Sequence, residues 1–486
     1  MPRNAGRKRD RRRVYDMMKA ERSVSAMSVF KAYDIRGLAG SELDTEFARR
    51  LGAALVTHLN ANAVAVARDI RESGPELHAA FLAGLTSAGA DVLDLGITTT
   101  GVLYRATVDL QVDAAVAITA SHNPPEYNGF KICNGSLPMA GEELQELKAT
   151  FDAGEFRTGQ GNVTQLPDFE GEVVDTIVEN AGKPRRTIRI AIDCGNAVPG
   201  PLTVRLMQRL GVDLVPIHCD WDNTFPNHPP DPTRQKNMLD LAAAVIENGC
   251  EFGIGMDGDG DRIGIVDERG RFIHPDRLMA LIAADVLVDR RGGTEAERTV
   301  FFDVKCSMAL EEAIIASGGI PRMVRTGHSF MKRELRANPD AVMAGEMSGH
   351  FFLHDRWPGF DCSLYNAARL LEIIGRDPAP NDGGPNFSER FNNLPDYPST
   401  DETKVPLTAG REETMGMVER AFADLEKSSV DGIRVRYPDG WYLCRPSNTE
   451  SILVMRAEGR TEESLKSILD DVNSRIGHIL DLSELC

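Results

Sequence analysis

The stretch NAVAVARD, residues 62–69, and its continuation LTSAGADVLDLG, residues 85–96, decide the fold. An apolar run closed by Asp69, an amphipathic spacer and a turn at Gly89 into a second apolar run make the pattern of a β-α-β unit. The same pattern returns in TIRIAIDCG (187–195) with MQRLGVDLVPIH (207–218), and in RTVFFDVKC (298–306) with IIASGGIPRMVRTG (314–327). Asp69, Asp193 and Asp303 close the first strands, and Gly89, Gly211 and Gly319 precede the second ones. A supersecondary unit recurring in this way predicts three similar α/β domains, each a parallel or mixed sheet covered by helices.

Each unit continues through a further apolar strand into an unusual loop: AAVAITASHNPP (114–125), FGIGMDGDGDR (252–262) and AVMAGEMSGH (341–350). Ligands of open α/β sheets bind beyond the carboxyl ends of strands, so the three loops are expected to share one cleft. GRDPAPNDGGP (375–385) has the Pro and Gly density of a domain boundary. After it, GIRVRYPDGWYLCRPSN (432–448) reads as a hairpin, SILVMRAEG (451–459) as a strand and EESLKSILDDVNSRI (462–476) as a helix, which together predict a smaller α+β domain. The expected divisions are a disordered basic extension 1–27, α/β domains 28–164, 165–272 and 273–382, and the α+β domain 383–486.

Composition bounds the function. The 486-residue chain is 42% hydrophobic and 26% charged, as packed domains are. Its formal net charge of −18 argues against nucleic-acid binding, which needs a cationic face. The basic start is followed by polar MMKAERSVSAM rather than the apolar core of a signal peptide, and the apolar run 278–288 is too short to span a membrane. No membrane partner and a cytoplasmic location are expected. Cys133, Cys194, Cys219, Cys250, Cys306, Cys362, Cys444 and Cys486 are scattered without a C-x-x-C pair, which predicts reduced thiols.

The loops carry the chemistry. In DGDGDR, Asp257, Asp259 and Asp261 alternate with glycines that let three carboxylates face one point, an oxygen-rich set suited to Mg²⁺ or Ca²⁺. An EF-hand is excluded, because Arg262 stands where that loop needs glycine and IGIV continues as a strand. In TASHNPP, Ser121 and His122 follow a strand and two prolines stiffen the turn, but the G-x-S-x-G of a serine hydrolase is absent. A phosphorylated Ser121 would present anionic oxygen to a cation on the aspartates. In GEMSGH, Glu346 and Ser348 suit vicinal sugar hydroxyls, and His350 suits acid or base work. RPSNTE (445–450) offers Arg445 to a phosphate, with Ser447, Asn448 and Thr449 as neutral donors. Ser329 is expected to cap the helix FMKREL.

FKAYDIRG (30–37), TASHNPP, DGDGDR, GEMSGH and RPSNTE occur in the order and spacing of the α-D-phosphohexomutases. The resemblance covers residues 28–486. FPNHPPDP (225–232) and FDVKC (302–306) make the chain similar to the bacterial phosphomannomutase/phosphoglucomutase branch. The resemblance implies four domains around a central cleft and an enzyme phosphorylated at Ser121 beside His122. It implies Mg²⁺ held by Ser121, Asp257, Asp259 and Asp261, with Arg36, Lys131 and Arg262 neutralising phosphoryl charge. Lys131 or His350 would handle hydroxyl protons. Tyr33, Lys305, His328, Glu346 and Ser348 would hold the sugar phosphate, and Arg445, Ser447, Asn448 and Thr449 its distal phosphate. The implied reaction interconverts hexose 1- and 6-phosphates of mannose or glucose, with hexose 1,6-bisphosphate as intermediate and activator, in a monomer or homodimer. Phosphoglucosamine mutase and a catalytically silent sugar-phosphate binder are the alternatives. Ser451 departs from the proline usual after N-T-E, which touches only local rigidity.

Overall fold

The computed structural model describes residues 29–407, 410–447, 452–483 and 485. The basic extension 1–27, Asn448, Thr449 and Ser451 lie outside the described residues.

Three sheets share one strand order. In the first, Asp91–Ile97, Ala63–Arg68, Ala114–Ile118 and Tyr127–Asn134 lie side by side. In the second the order is Asp213–Ile217, Arg189–Asp193, Phe252–Met256 and Ile263–Asp267, and in the third Ile320–Val324, Thr299–Asp303, Met343–Gly345 and Phe351–Leu353. The first three strands of each set are parallel, and the last returns antiparallel. Loop length sets that reversal: parallel neighbours need a crossover of about a dozen residues, and the loops between the last two strands are too short for one. TASHNPP, DGDGD and GEMSG are these three hairpin-like connections, so the repeat itself puts them at equivalent corners.

The repeated glycines act as helix stops. Gly89 and Gly211 adopt left-handed φ values of 89° and 76°. In the third unit this conformation falls to Gly318 (φ 85°), one residue before the expected Gly319.

The fourth sheet is wholly antiparallel, in the order Thr403–Pro406, Ile452–Gly459, Gly440–Pro446, Ile433–Tyr437 and Lys427–Ser428. The expected hairpin is present with Tyr437 opposite Gly440, so only Pro438 and Asp439 form the turn. The helix Glu462–Ile476 starts at a capping box between Thr461 and Ser464 and buries Leu465, Ile468, Val472 and Ile476, which its 3.6-residue period puts on one face.

The α/β domains are welded together. One core runs from Ala65 and Leu103 through Ile190 and Ile254 to Val300 and the helix Ser363–Ile374. The segment just after the Pro/Gly-rich stretch joins this core as well, since Phe387 stacks on Phe252 at 4.5 Å. The expected start of the last domain at residue 383 precedes this packed segment, and the fourth sheet begins at Thr403. That domain docks on the third through Trp441 and Leu443 against Val304.

Candidate functional site

The Ser121 loop and the acidic loop meet face to face. Ser121 holds a left-handed backbone (φ 50°), uncommon for a side-chain-bearing residue, which aims its hydroxyl out of the turn. Its Oγ donates to Asp257 Oδ2 at 2.9 Å. Arg262 clamps the same pair, with Nε donating to Asp257 Oδ2 at 2.9 Å and Nη2 to Ser121 Oγ at 3.3 Å. His122 Nδ1 lies 3.1 Å from Ser121 Oγ and also meets Arg262 Nη2. Burial, and then Arg262, hold the His122 imidazole well below its ordinary pKa, which keeps it neutral.

Asp257, Asp259 and Asp261 are buried and each brings a carboxylate oxygen within 4.8 Å of the others. Burial raises the Asp257 carboxyl, with Asp261 adding repulsion, to about 7. Lys131 Nζ lies 2.7 Å from Asp259 Oδ2 and 2.6 Å from Asp261 Oδ2. Asp259 Oδ1 is buried without a hydrogen-bond partner. An oxygen-only donor set with an unanswered buried carboxylate oxygen fits a hard divalent cation. Asp257, Asp259, Asp261 and Ser121 are the residues that would hold it.

The third loop extends the same network. His350 Nε2 lies 3.3 Å from Asp261 Oδ1 and its Nδ1 lies 3.2 Å from Glu346 Oε2 and 2.9 Å from Ser348 Oγ. Burial alone would lower the His350 pKa, but Asp261 and Glu346 raise it to about 9. Glu346 Oε1 accepts from Gly327 N at 2.6 Å. His328 stacks on His350 at 5.4 Å and receives the edge of Tyr33 at 5.3 Å. Gly327, with φ 137°, is the N-cap of the helix His328–Ala337, so Ser329 lies inside the first turn and is not the expected cap.

On the remaining sides, Arg36 Nη1 donates to Asn123 Oδ1 at 2.6 Å and its Nη2 pairs with Asp34 at 2.5 Å. Lys305 Nζ lies 3.0 Å from Glu402 and 3.8 Å from Asp303. Arg445 Nε donates to Asp431 Oδ2 at 2.7 Å, and Ser447 N to Ile452 O at 2.9 Å. The expected site residues within the described part come from all four domains, most on connecting loops, with Arg36, Lys131 and Arg445 on strands and His328 at a helix start, while Asn448 and Thr449 lie outside the described part.

Several residues escaped the sequence reading. Arg71 is fully buried, pairs with Asp69, and donates to the carbonyls of Ser121, Asn123, Pro124 and Tyr127. The repeat held its signal: Arg71 follows Asp69 by two residues just as Lys305 follows Asp303. Thr100 Oγ1 donates to Asp259 Oδ2 at 2.9 Å, and Asp361 pairs with Lys332 at 2.7 Å close to His350. Neither stands in a pattern that distinguishes it from ordinary helix and loop residues.

Family models agree with this architecture. The phosphoglucomutase/phosphomannomutase α/β/α domains I, II and III match residues 27–158, 172–270 and 274–394, and the C-terminal domain matches 402–474. The phosphomannomutase/phosphoglucomutase of Pseudomonas aeruginosa is 40% identical over 452 residues, covering 91% of this chain and 94% of its own. The phosphoglucomutase of Neisseria meningitidis is 42% identical over 453 residues, covering 91% and 95%. A crystal structure of a phosphoglucomutase/phosphomannomutase family protein from Burkholderia thailandensis superimposes with a TM-score of 0.85 at 40% identity, covering 93% of this chain and 97% of that one. Motifs, strand order and the matches of all four domains agree, and the chain belongs to the phosphoglucomutase/phosphomannomutase family of the α-D-phosphohexomutase superfamily.

Proposed function

We propose that this phosphohexomutase interconverts the 1- and 6-phosphates of mannose and glucose by relaying a phosphoryl group through Ser121. The observation that carries the reading is the placement of Ser121 Oγ between Asp257 and Arg262, 2.9 Å and 3.3 Å away. A phosphoryl group there faces a cation site on one side and a guanidinium on the other, which is what a transition state with spread negative charge requires.

In the forward half, O6 of a hexose 1-phosphate attacks the phosphorus on Ser121, the P–Oγ bond breaks with its electron pair on Oγ, and the O6 proton passes to Lys131 or His350 as that group's own proton moves onto Asp261, the carboxylate both of them face. The hexose 1,6-bisphosphate reorients, Ser121 Oγ attacks the 1-phosphate, and the departing O1 recovers a proton. A Mg²⁺ held by Asp257, Asp259 and Asp261 would supply electrophilic neutralisation of the negative charge that develops beside Ser121. His122, neutral and beside Oγ, orients the hydroxyl, and Arg36 holds Asn123 of the same loop. Glu346 and Ser348 take sugar hydroxyls, with Tyr33, His328 and Lys305 lining the ring's path. Arg445 and Ser447, with Asn448 and Thr449 following in sequence, hold the phosphate that is not being transferred.

Mutase assays on mannose, glucose and glucosamine 1-phosphates, with Mg²⁺ and a trace of hexose 1,6-bisphosphate, test the reading. Comparable turnover of the first two and poor turnover of the third are expected. A preference for glucosamine 1-phosphate would instead assign the amino-sugar reaction, and no turnover of any would leave a sugar-phosphate binder.

A further inference from the structure

The second domain builds another group of ligating side chains at the ends of its parallel strands, beside the segment FPNHPPDP. We propose that Asp193, His218 and His228 form a second metal site, selective for a transition-metal cation of the zinc type over Mg²⁺.

One donor atom from each of the three residues lies within 4.8 Å of the other two. Two imidazoles and a carboxylate are the donors that zinc and its first-row neighbours prefer, in contrast to the oxygen-only set of Asp257, Asp259 and Asp261. Asp193 is buried, and its Oδ1 accepts from Gly195 N at 2.8 Å, which leaves Oδ2 facing His228 Nε2 at 2.9 Å. His228 Nδ1 lies 2.9 Å from the Pro229 carbonyl. That backbone bond fixes the ring and turns Nε2 inward, the arrangement by which metal-binding histidines are oriented. The His218 ring meets His228 edge-on at 5.5 Å, and its Nε2 lies 3.0 Å from Asp240 Oδ2. Both imidazoles keep some exposure, 20% and 14%, so an ion can enter from solvent while Asp193 anchors it from below.

A cation here ties the neighbouring ends of the paired strands Arg189–Asp193 and Asp213–Ile217 to the strap that carries His228. The strap runs on to the cleft, where Pro230 O accepts from Gly258 N at 3.1 Å and Asp231 lies 3.6 Å from Arg262. The site is therefore a clamp on the segment that backs the acidic loop, and the entering cation displaces the proton shared by His228 and Asp193.

The test uses purified full-length protein stripped with chelator, then titrated with Co²⁺ in saturating Mg²⁺ so that the oxygen-only site is filled. One Co²⁺ per chain with an intense visible ligand-field band is expected, displaced by Zn²⁺ and untouched by Mg²⁺. His228→Ala should abolish it, as should His218→Asn, chosen because asparagine tolerates the left-handed backbone at 218 (φ 48°). Asp240→Asn should weaken it roughly 10- to 100-fold, as loss of an orienting partner does. X-ray absorption of the wild-type zinc complex needs no variant and should show two imidazole nitrogens. Absence of Mg²⁺-resistant Co²⁺ binding, an all-oxygen shell around zinc, or unchanged binding in the folded histidine variants would each overturn the site.

Discussion

Ser121 Oγ lies 2.9 Å from Asp257 Oδ2 across 136 positions of sequence, and a glycine makes this approach possible. A Cβ on Gly258 would sit 2.1 Å from the Ser121 carbonyl oxygen, so the acidic loop comes this close only because that position has no side chain. Gly258→Ala is expected to push the loops apart and lower kcat roughly 100-fold, the cost of a displacement of about 1 Å at a reacting centre. Steady-state turnover at saturating substrate checks this, and wild-type kcat would show that the close approach is immaterial.

Arg71 is the support under the Ser121 loop. Arg71→Ala leaves Asp69 buried without its cation and takes a donor from four carbonyls, a loss of the class that costs about 3–5 kcal/mol. Arg71→Lys keeps the charge but not the planar five-donor fork, so it should fall in between. Denaturant unfolding of the three proteins gives the order directly. Equal midpoints would mean that the loop holds itself.

The repeat made most of this legible in the sequence. Asp69, Asp193 and Asp303 read as strand ends because burial makes the strands apolar runs, and the three loops followed from the same period. The antiparallel return strands were less visible, since an apolar run does not state its direction. Arg71 and Asp361 escaped for another reason: what shows their role is the Ser121 loop that Arg71 holds and the Lys332 that Asp361 pairs with, and both lie far away in sequence. The packing of Phe387 on Phe252 was hidden in the same way behind a Pro/Gly-rich stretch that looked like a tether.

In the proposed complex Glu346 takes the edge of the sugar that mannose and glucose share. Its carboxyl is held below the usual range, because bonds from His350 and Gly327 outweigh its burial, and it stays anionic at neutral pH. Glu346→Gln is expected to lower kcat/KM for both epimers together by roughly 10- to 100-fold, the value of a charged hydrogen bond of about 1.5–3 kcal/mol. A selective loss for one epimer would put Glu346 at C2 instead.

The pair Lys305–Glu402, at 3.0 Å, bridges the third and fourth domains. Lys305 holds the Glu402 carboxyl below its ordinary value of 4.5. A depressed folded pKa adds stability that is present above 4.5 and is lost as pH falls through the lower folded value. Glu402→Gln should therefore lower Tm slightly at pH 7, the pair being part-exposed and screened, and the gap should close in acid. A gap that persists well below pH 4.5 would contradict the assignment.

The central claim is that Ser121 carries the transferred phosphoryl group, and mass spectrometry of its peptide during turnover measures it most directly. With hexose phosphate labelled in the phosphoryl oxygens, one phosphoryl group on Ser121 should exchange label at the rate of catalysis, and Ser121→Ala should bind substrate yet lose both label and turnover. Full turnover with Ser121 unmodified, or label on another residue, would contradict the account.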